Sequence, residues 1–554
     1  MTEADIVPGT IHLVDMEGFL HVKKEAGSKH NIILVPQPTS DPNDPLRWSK
    51  TKKNLQFLLV WFWAFMLAVA VAFFGSLYGV WIAEEGYTIT QLNNMVGFIF
   101  AFLGIGVLTL QPTALKMGRR FVYLMCSIIA LVGLAVGGNA KSKGYLYAFG
   151  ILCGYAAAPV DSLVEISVTD TFFKHETATY LGYVLLALYA GSFLGPTAAG
   201  FIVQKHSWKW TFWTQIIIIG VTFIVQIFCM RETMFSRLRF TTTDDKLEAE
   251  IISQIQSHAS GELPEESEKH NNIDVAIESD VGSSSQDIEN MGDVDPTIAP
   301  RSYMQKLKPY ELTYNDERSW LAIFIRPFSC YFPGIMYGAF VYGSQMAWLS
   351  LLNTTQATLF GAPPYNFAPD MVGTTGVAAF VGSAFGMLYG GKLSDYLIIR
   401  LSERNNGVFE PEFRLWAMII PTLFNAAGIL AYGLGINNGV HWAVPVILGK
   451  GMLGFAMSAT GSITLTYAID CYPKMASDAF VLMLFIRNCI GCAFTFGFEH
   501  WLEACGLSQL SWLLFMISII INGSFVFFLK WGKSFRRFTA SRYLRLAETG
   551  GSAH

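Results

Sequence analysis

Twelve apolar runs, most of them about 20 residues long, constrain this chain more than any other feature. They lie near 56–82, 92–115, 120–139, 145–169, 179–203, 211–230, 322–351, 371–393, 413–435, 441–468, 477–499 and 510–530. A run of that length matches a helix that crosses the hydrocarbon core of a bilayer. The seventh run is interrupted by Pro327 and Pro333. The composition agrees: 52% of residues are hydrophobic and 14% are charged, where soluble domains carry about a quarter charged residues. The 14 Trp, 22 Tyr and 43 Phe suit the aromatic belts of membrane interfaces. The formal net charge of −4 is segregated into loops and tails, and nothing points to nucleic acid. These features together predict an all-α integral membrane protein.

Lys and Arg near the span ends set the orientation. Arg47, Lys50, Lys52 and Lys53 precede the first span, and Lys116, Arg119 and Arg120 follow the second. Arg400 and Arg404 follow the eighth, and Lys533, Arg536, Arg537, Arg542 and Arg545 follow the twelfth. Both termini are therefore expected in the cytosol. The first 50 residues are polar and contain no signal peptide, so the first span must act as its own signal. The eight cysteines fall mostly in or beside spans, as small hydrophobes do, and predict no disulfide framework.

The chain divides into two halves. An acidic, Ser-rich stretch from 233 to 319 cannot bury a core and reads as a disordered cytosolic linker. A short amphipathic helix is compatible with LEAEIISQIQ inside it, at 247–256. Five regions follow: a tail at 1–53, a six-helix bundle at 54–232, the linker, a second bundle at 320–532 and a tail at 533–554. The fourth span ends DTFFK (Asp170 to Lys174) and the tenth ends DCYPK (Asp470 to Lys474). Such internal symmetry marks parallel-repeat transporters, whose site lies near the midplane between the halves.

Several motifs resemble a known family. GKLSD at Gly391 to Asp395 resembles the loop motif of the major facilitator superfamily, and MGRR at Met117 to Arg120 resembles the end of that motif in the first half. GSFLGPTAAG at Gly191 to Gly200 is similar to the antiporter signature of the fifth span. LVPQPTSDPNDPLRWS, ISVTDTFFKHE, WKWTFW, PPYNF, PEFRLW, YAIDCYP and FIRN resemble fungal members of the drug:proton antiporter branch, including the yeast histidinol/polyamine permease group. Leu115 stands where the first-half loop motif usually has an acid, and Gly150 where the fourth-span motif often has Arg. The resemblance implies the major facilitator fold, with twelve transmembrane helices in two pseudo-symmetric six-helix bundles. It implies proton-coupled efflux of a secondary metabolite or xenobiotic at the plasma membrane, by a monomer without cofactors. Proton-coupled uptake of a cationic metabolite such as a polyamine is the second reading, and a non-transporting nutrient sensor the third. No metal-ligand cluster, nucleophile elbow or phosphate loop points to an enzyme. The partners expected are a small-molecule substrate, protons and the lipid bilayer.

Charges inside the spans are the candidate site. A carboxylate at the centre of a span costs roughly 2.5–3.5 kcal/mol on insertion scales, yet PVDSLVEISVTD carries Asp161 and Glu165. At i and i+4 they share one helix face. Burial and a like-charged neighbour both favour the protonated carboxyl, so the pair can carry a proton. Lys450 and Arg487 are the bases of the second half, expected to pair with those acids across the cavity or to hold an anionic substrate group. Asn488 and Gln345 are further polar candidates for the cavity. Gly191, Gly195, Pro196 and Gly200 read as a tight, bendable contact between the halves that sets the gate. Arg119, Arg120, Asp170, Asp395 and Asp470 read as cytosolic latch salt bridges, with Asp395 meeting Arg400 or a base of another loop. Asn353 opens a glycosylation sequon on the expected outer side.

Overall fold

The computed structural model describes residues 8–12, 41–235, 301–302, 305, 307–308, 319–405 and 408–548. The expected helix at 247–256 and nearly all of the linker lie outside them. The first half supplies α1 (Lys50–Ala70), α2 (Ile89–Met117), α3 (Arg119–Gly138), α4 (Lys143–Thr171), α5 (Lys174–Lys205) and α6 (Lys209–Cys229). The second supplies α7 (Pro333–Gly361), α8 (Pro369–Arg404), α9 (Ile419–Asn437) and α10 (Val444–Cys471). The helix Ala476–Gly523 is broken at Gly506, whose positive φ of 70° glycine adopts freely. We number its parts α11 (476–505) and α12 (507–523). A last helix, α13 (Phe525–Glu548), runs on beyond the end of the twelfth apolar run.

Among the described residues, ten segments are long and apolar enough to cross a bilayer. The last of these, Pro473–Ala547, holds two crossings, α11 and α12. α7 is long enough but carries Ser, Thr, Asn and Gln through its length. With it the crossings number twelve. α7 also corrects the expected seventh span, 322–351. Pro333 takes the first position of the helix, where its missing N–H costs nothing. The residues before it form a separate short helix, Trp320–Ile325, and a 3-10 turn.

Helix pairing repeats between the halves. α2 packs on α4 as α8 packs on α10, α1 on α5 as α7 on α11, and α3 on α6 as α9 on α12. Across the halves, α2 meets α11 and α5 meets α8. Each contact maps onto its counterpart when six is added to the helix number, as two parallel repeats require. The outward faces are apolar. Ile217, Val221, Ile224 and Phe228 of α6 recur at helical spacing and are all exposed, which suits a face turned to lipid.

Local chemistry sets the helix ends. Thr88 and Gln91 form a reciprocal capping box at the start of α2. Gly118, at φ 98°, turns the chain from α2 into α3. There the Glu232 carboxylate accepts from the backbone N–H of Arg119 and Arg120, at 3.0 Å each. An anion at a helix N-terminus is favoured by the helix dipole. At the same face of the other half, Ile11–His12 pairs antiparallel with Val408–Phe409.

Candidate functional site

The face where α1 begins and α12 ends is called here the terminal face, and its opposite the far face. Asp161 lies 18 residues into α4 and Arg487 11 residues into α11, so both sit deep within the helices. The structure joins them. Arg487 Nη1 donates to Asp161 Oδ1 at 3.3 Å, and Nη2 contacts Oδ2. The guanidinium also donates to Tyr342 Oη of α7 at 2.9 Å and to Asn488 Oδ1 at 3.2 Å. It lies 4.9 Å from the centre of the Tyr342 ring. Arg487 is 1% exposed and Asp161 8%. The planar guanidinium fork suits bidentate carboxylate binding. One ion pair thus bridges the two bundles beside a mostly apolar crevice lined by α1, α2, α4, α5 and α7.

Glu165 is one turn nearer the terminal face and only partly buried. Among the described residues its carboxylate has no hydrogen bond and no ion pair. The two acids that the sequence groups together are therefore divided in role: Asp161 is matched with Arg487, and Glu165 is not.

Lys450 is not at the water interface. It ends a π-helical turn, Val444–Lys450, and is 1% exposed. Its Nζ donates to Gln356 Oε1 of α7 at 2.8 Å and to Thr375 Oγ1 of α8 at 2.6 Å. Neither acid of the first half reaches it. Of the pairings that the sequence leaves open between these bases and acids, the structure makes one, Asp161 with Arg487.

Gln345 corrects the expected cavity set. It accepts from Asn425 Nδ2 at 2.7 Å and donates to Asn522 Oδ1 at 3.0 Å, while Ser518 donates to Asn425. This network ties α7, α9 and α12 together inside the second bundle. Asn353 is also a correction. It lies within α7, is 6% exposed and lines the crevice between the bundles. A buried helical Asn offers no extended acceptor loop for a glycan.

The fifth-span glycines serve two contacts. A Cβ on Gly191 or Gly195 would meet α1 of the same half, at Phe65, Ala68 and Val69. Gly200 instead faces the other half, where a Cβ would strike the Pro369 carbonyl. α8 answers with Gly373 and Gly376, which abut the carbonyls of Pro196 and Phe193. Thr197 Oγ1 donates to Gly373 O at 2.8 Å. The α5–α8 seam toward the far face is thus closed at backbone contact. α2 and α11 close beside it: Glu499 accepts from Thr90 Oγ1 at 3.0 Å and from Asn93 Nδ2 at 3.3 Å.

The terminal-face salt bridges obey the internal symmetry. Arg119 at the start of α3 pairs with Asp170 at the end of α4, at 3.3 Å. Arg414, just before α9, pairs with Asp470 at the end of α10, at 3.1 Å. Arg414 also takes Asp395 at 3.1 Å, so Asp395 does not pair with Arg400. Leu115 in the first half leaves Arg119 without a matching second acid. Arg120 donates to backbone carbonyls, to Ile227 O at 2.7 Å and Lys308 O at 2.9 Å. Every one of these carboxylate bridges lies within one bundle. Arg414 lies in the PEFRLW motif but carries no role legible from the sequence, though its place before α9 mirrors Arg119 at the start of α3. Tyr342, Gln356 and Thr375 leave no signal, because neutral polar residues in apolar helices are too common to stand out.

Comparison with known proteins agrees with this architecture. The family model of the Major Facilitator Superfamily matches residues 60–496. The chain belongs to that superfamily, and it is a membrane transporter, not an enzyme. An uncharacterized MFS-type transporter of Schizosaccharomyces pombe is 29% identical, covering 96% of this chain and 94% of its own length. Protein HOL1 of Saccharomyces cerevisiae is 27% identical over 98% of this chain and 97% of its own. The MFS transporter cpaT of Aspergillus oryzae is 24% identical over 90% of each chain. The crystal structure of the human organic anion transporter MFSD10 aligns with a TM-score of 0.50 at 13% identity, over 85% of this chain and 99% of that one. It shares the fold.

Proposed function

We propose that this chain is a proton-coupled secondary transporter that exports a small organic solute by alternating access. The observation that carries the proposal is the unpaired Glu165 one turn from the Asp161–Arg487 bridge. A carboxylate without a direct ion-pair partner in a span is a functional group by default. The bridge gives the two bundles a bond whose strength depends on the charge of its neighbours. A proton on Glu165 removes one negative charge from the helix face that holds Asp161. Asp161 and Arg487 then feel each other with less competition, and the balance between the two orientations of the bundles changes. Export is favoured by the antiporter-like fifth span. We place the terminal face, both termini and the 233–319 linker in the cytosol, from the Lys and Arg at that face. The protein works as a monomer in the plasma membrane.

Uptake of a cationic metabolite is the second reading, and Glu165 favours it too, since an unpaired acid also attracts an amine. Vesicle flux under an imposed pH gradient, run across a panel of radiolabelled metabolites, separates the two. Export predicts substrate movement opposite to the proton gradient. Movement along with protons selects uptake, and flux indifferent to the gradient refutes coupling.

A further inference from the structure

We propose that the region around Lys450 is an anion subsite, which takes the carboxylate of a small organic substrate between the two bundles. The proposal rests on the reading of the chain as a transporter and narrows its substrate class. Lys450 Nζ has two neutral acceptors, Gln356 Oε1 and Thr375 Oγ1, and lies 5.5 Å from the centre of the Phe360 ring. No carboxylate among the described residues pairs with it. A buried ammonium without a counter-ion is costly. Gln356 spends its oxygen on Lys450, and its Nε2 is then buried with no acceptor. The ammonium, held on Gln356 Oε1, and the orphan Nε2 of the same amide both lack what a carboxylate offers.

Lys450 and Gln356 line a gap together with Ser192 of α5 and Asn353 of α7, packed too tightly in this conformation to admit a water molecule, so a carboxylate enters it only when the bundles part. Ser192 and Asn353 line the neighbouring crevice that holds Asp161 as well. The subsite therefore belongs to the path between the bundles and not to the interior of one. The π-helical turn that ends at Lys450 adds a residue to the helical register, a distortion common at functional sites. A singly charged carboxylate fits one ammonium and one amide. A phosphate brings about two negative charges at neutral pH and needs more donors.

Thermal unfolding of the purified full-length protein, followed by tryptophan fluorescence, tests this with matched probes. Each pair is an amino acid and the amine left when its carboxylate is removed: ornithine and putrescine, lysine and cadaverine, histidine and histamine, tyrosine and tyramine. At least one amino acid should raise Tm where its amine does not. Lys450→Met should weaken that binding by about tenfold or more, equivalent to 1.4 kcal/mol, and Lys450→Arg should retain it. If Lys450→Met does not fold, Gln356→Leu removes the orphan donor and should weaken the same probe. The subsite is overturned if no amino acid in the panel separates from its amine, or if the separation persists without Lys450. Wild-type flux is measured separately, so intact transport without a carboxylate preference overturns the subsite alone.

Discussion

Arg487 is held by Asp161, Tyr342 and Asn488 and is 1% exposed. Removing one partner of such a pair leaves an uncompensated buried charge, which costs about 3–5 kcal/mol. Arg487→Ala should therefore lower the unfolding temperature of the purified protein sharply. Replacing both partners with apolar groups removes the charges together, so Asp161→Leu with Arg487→Met should regain most of that loss. It should not regain transport. Thermal unfolding and flux on the single and double variants check both statements. A double variant as unstable as Arg487→Ala would show that the bridge matters as a hydrogen-bonded scaffold and not as a charge pair. The outcome also bears on Glu165, whose proposed role needs a charged Asp161 beside it.

The helices show why some of this is legible in the sequence and some is not. Charges in apolar runs announce themselves through their cost, so Asp161, Glu165, Lys450 and Arg487 stand out from the residue order alone. Their partners depend on which face of each helix looks inward. α7 is buried on nearly every side, so its hydropathy does not say which way Gln345 or Asn353 points. Gln345 points into the bundle and Asn353 into the crevice. The α5 signature is legible as a close contact, but the residue order does not say that Gly191 and Gly195 meet α1 while Gly200 meets α8. That division makes a prediction. A Cβ on Gly195 would sit 3.3–3.6 Å from Val69, tight but bearable. At Gly200 it would strike the Pro369 carbonyl and come to 3.0 Å from Asp370 Cα. Gly195→Ala should therefore keep most of the flux per molecule at the membrane. Gly200→Val should lose most of it, since overpacking costs about 1–3 kcal/mol and here falls on the seam between the bundles. Wild-type flux in Gly200→Val would show that this seam does not take part in gating.

Across the whole molecule, the two bundles touch in different ways at the two faces. The far face is closed by backbone contact between α5 and α8 and by Glu499 between α11 and α2. Toward the terminal face, Gln111 donates to Ser477 at 3.3 Å and Trp320 to Thr113 at 3.3 Å across the bundles. The salt bridges there act inside each bundle, keeping each one rigid as it tilts. In the proposed topology the closed far face is the outer one. The linker is expected to act as a tether between the bundles. A protease site inserted near Ser284 should be cut from the cytosolic side only and leave flux largely intact; cutting from outside only would invert the topology. The proposed proton coupling turns on Glu165, and proton-driven accumulation and substrate exchange measured in the same Glu165→Gln vesicles test it most directly. Gln keeps the size and the hydrogen-bonding capacity but cannot titrate. Accumulation against a gradient should vanish while exchange persists, because rocking of the bundles needs no proton to be released. Full proton-driven accumulation in Glu165→Gln would contradict this coupling and leave the acid as a ligand or a packing residue.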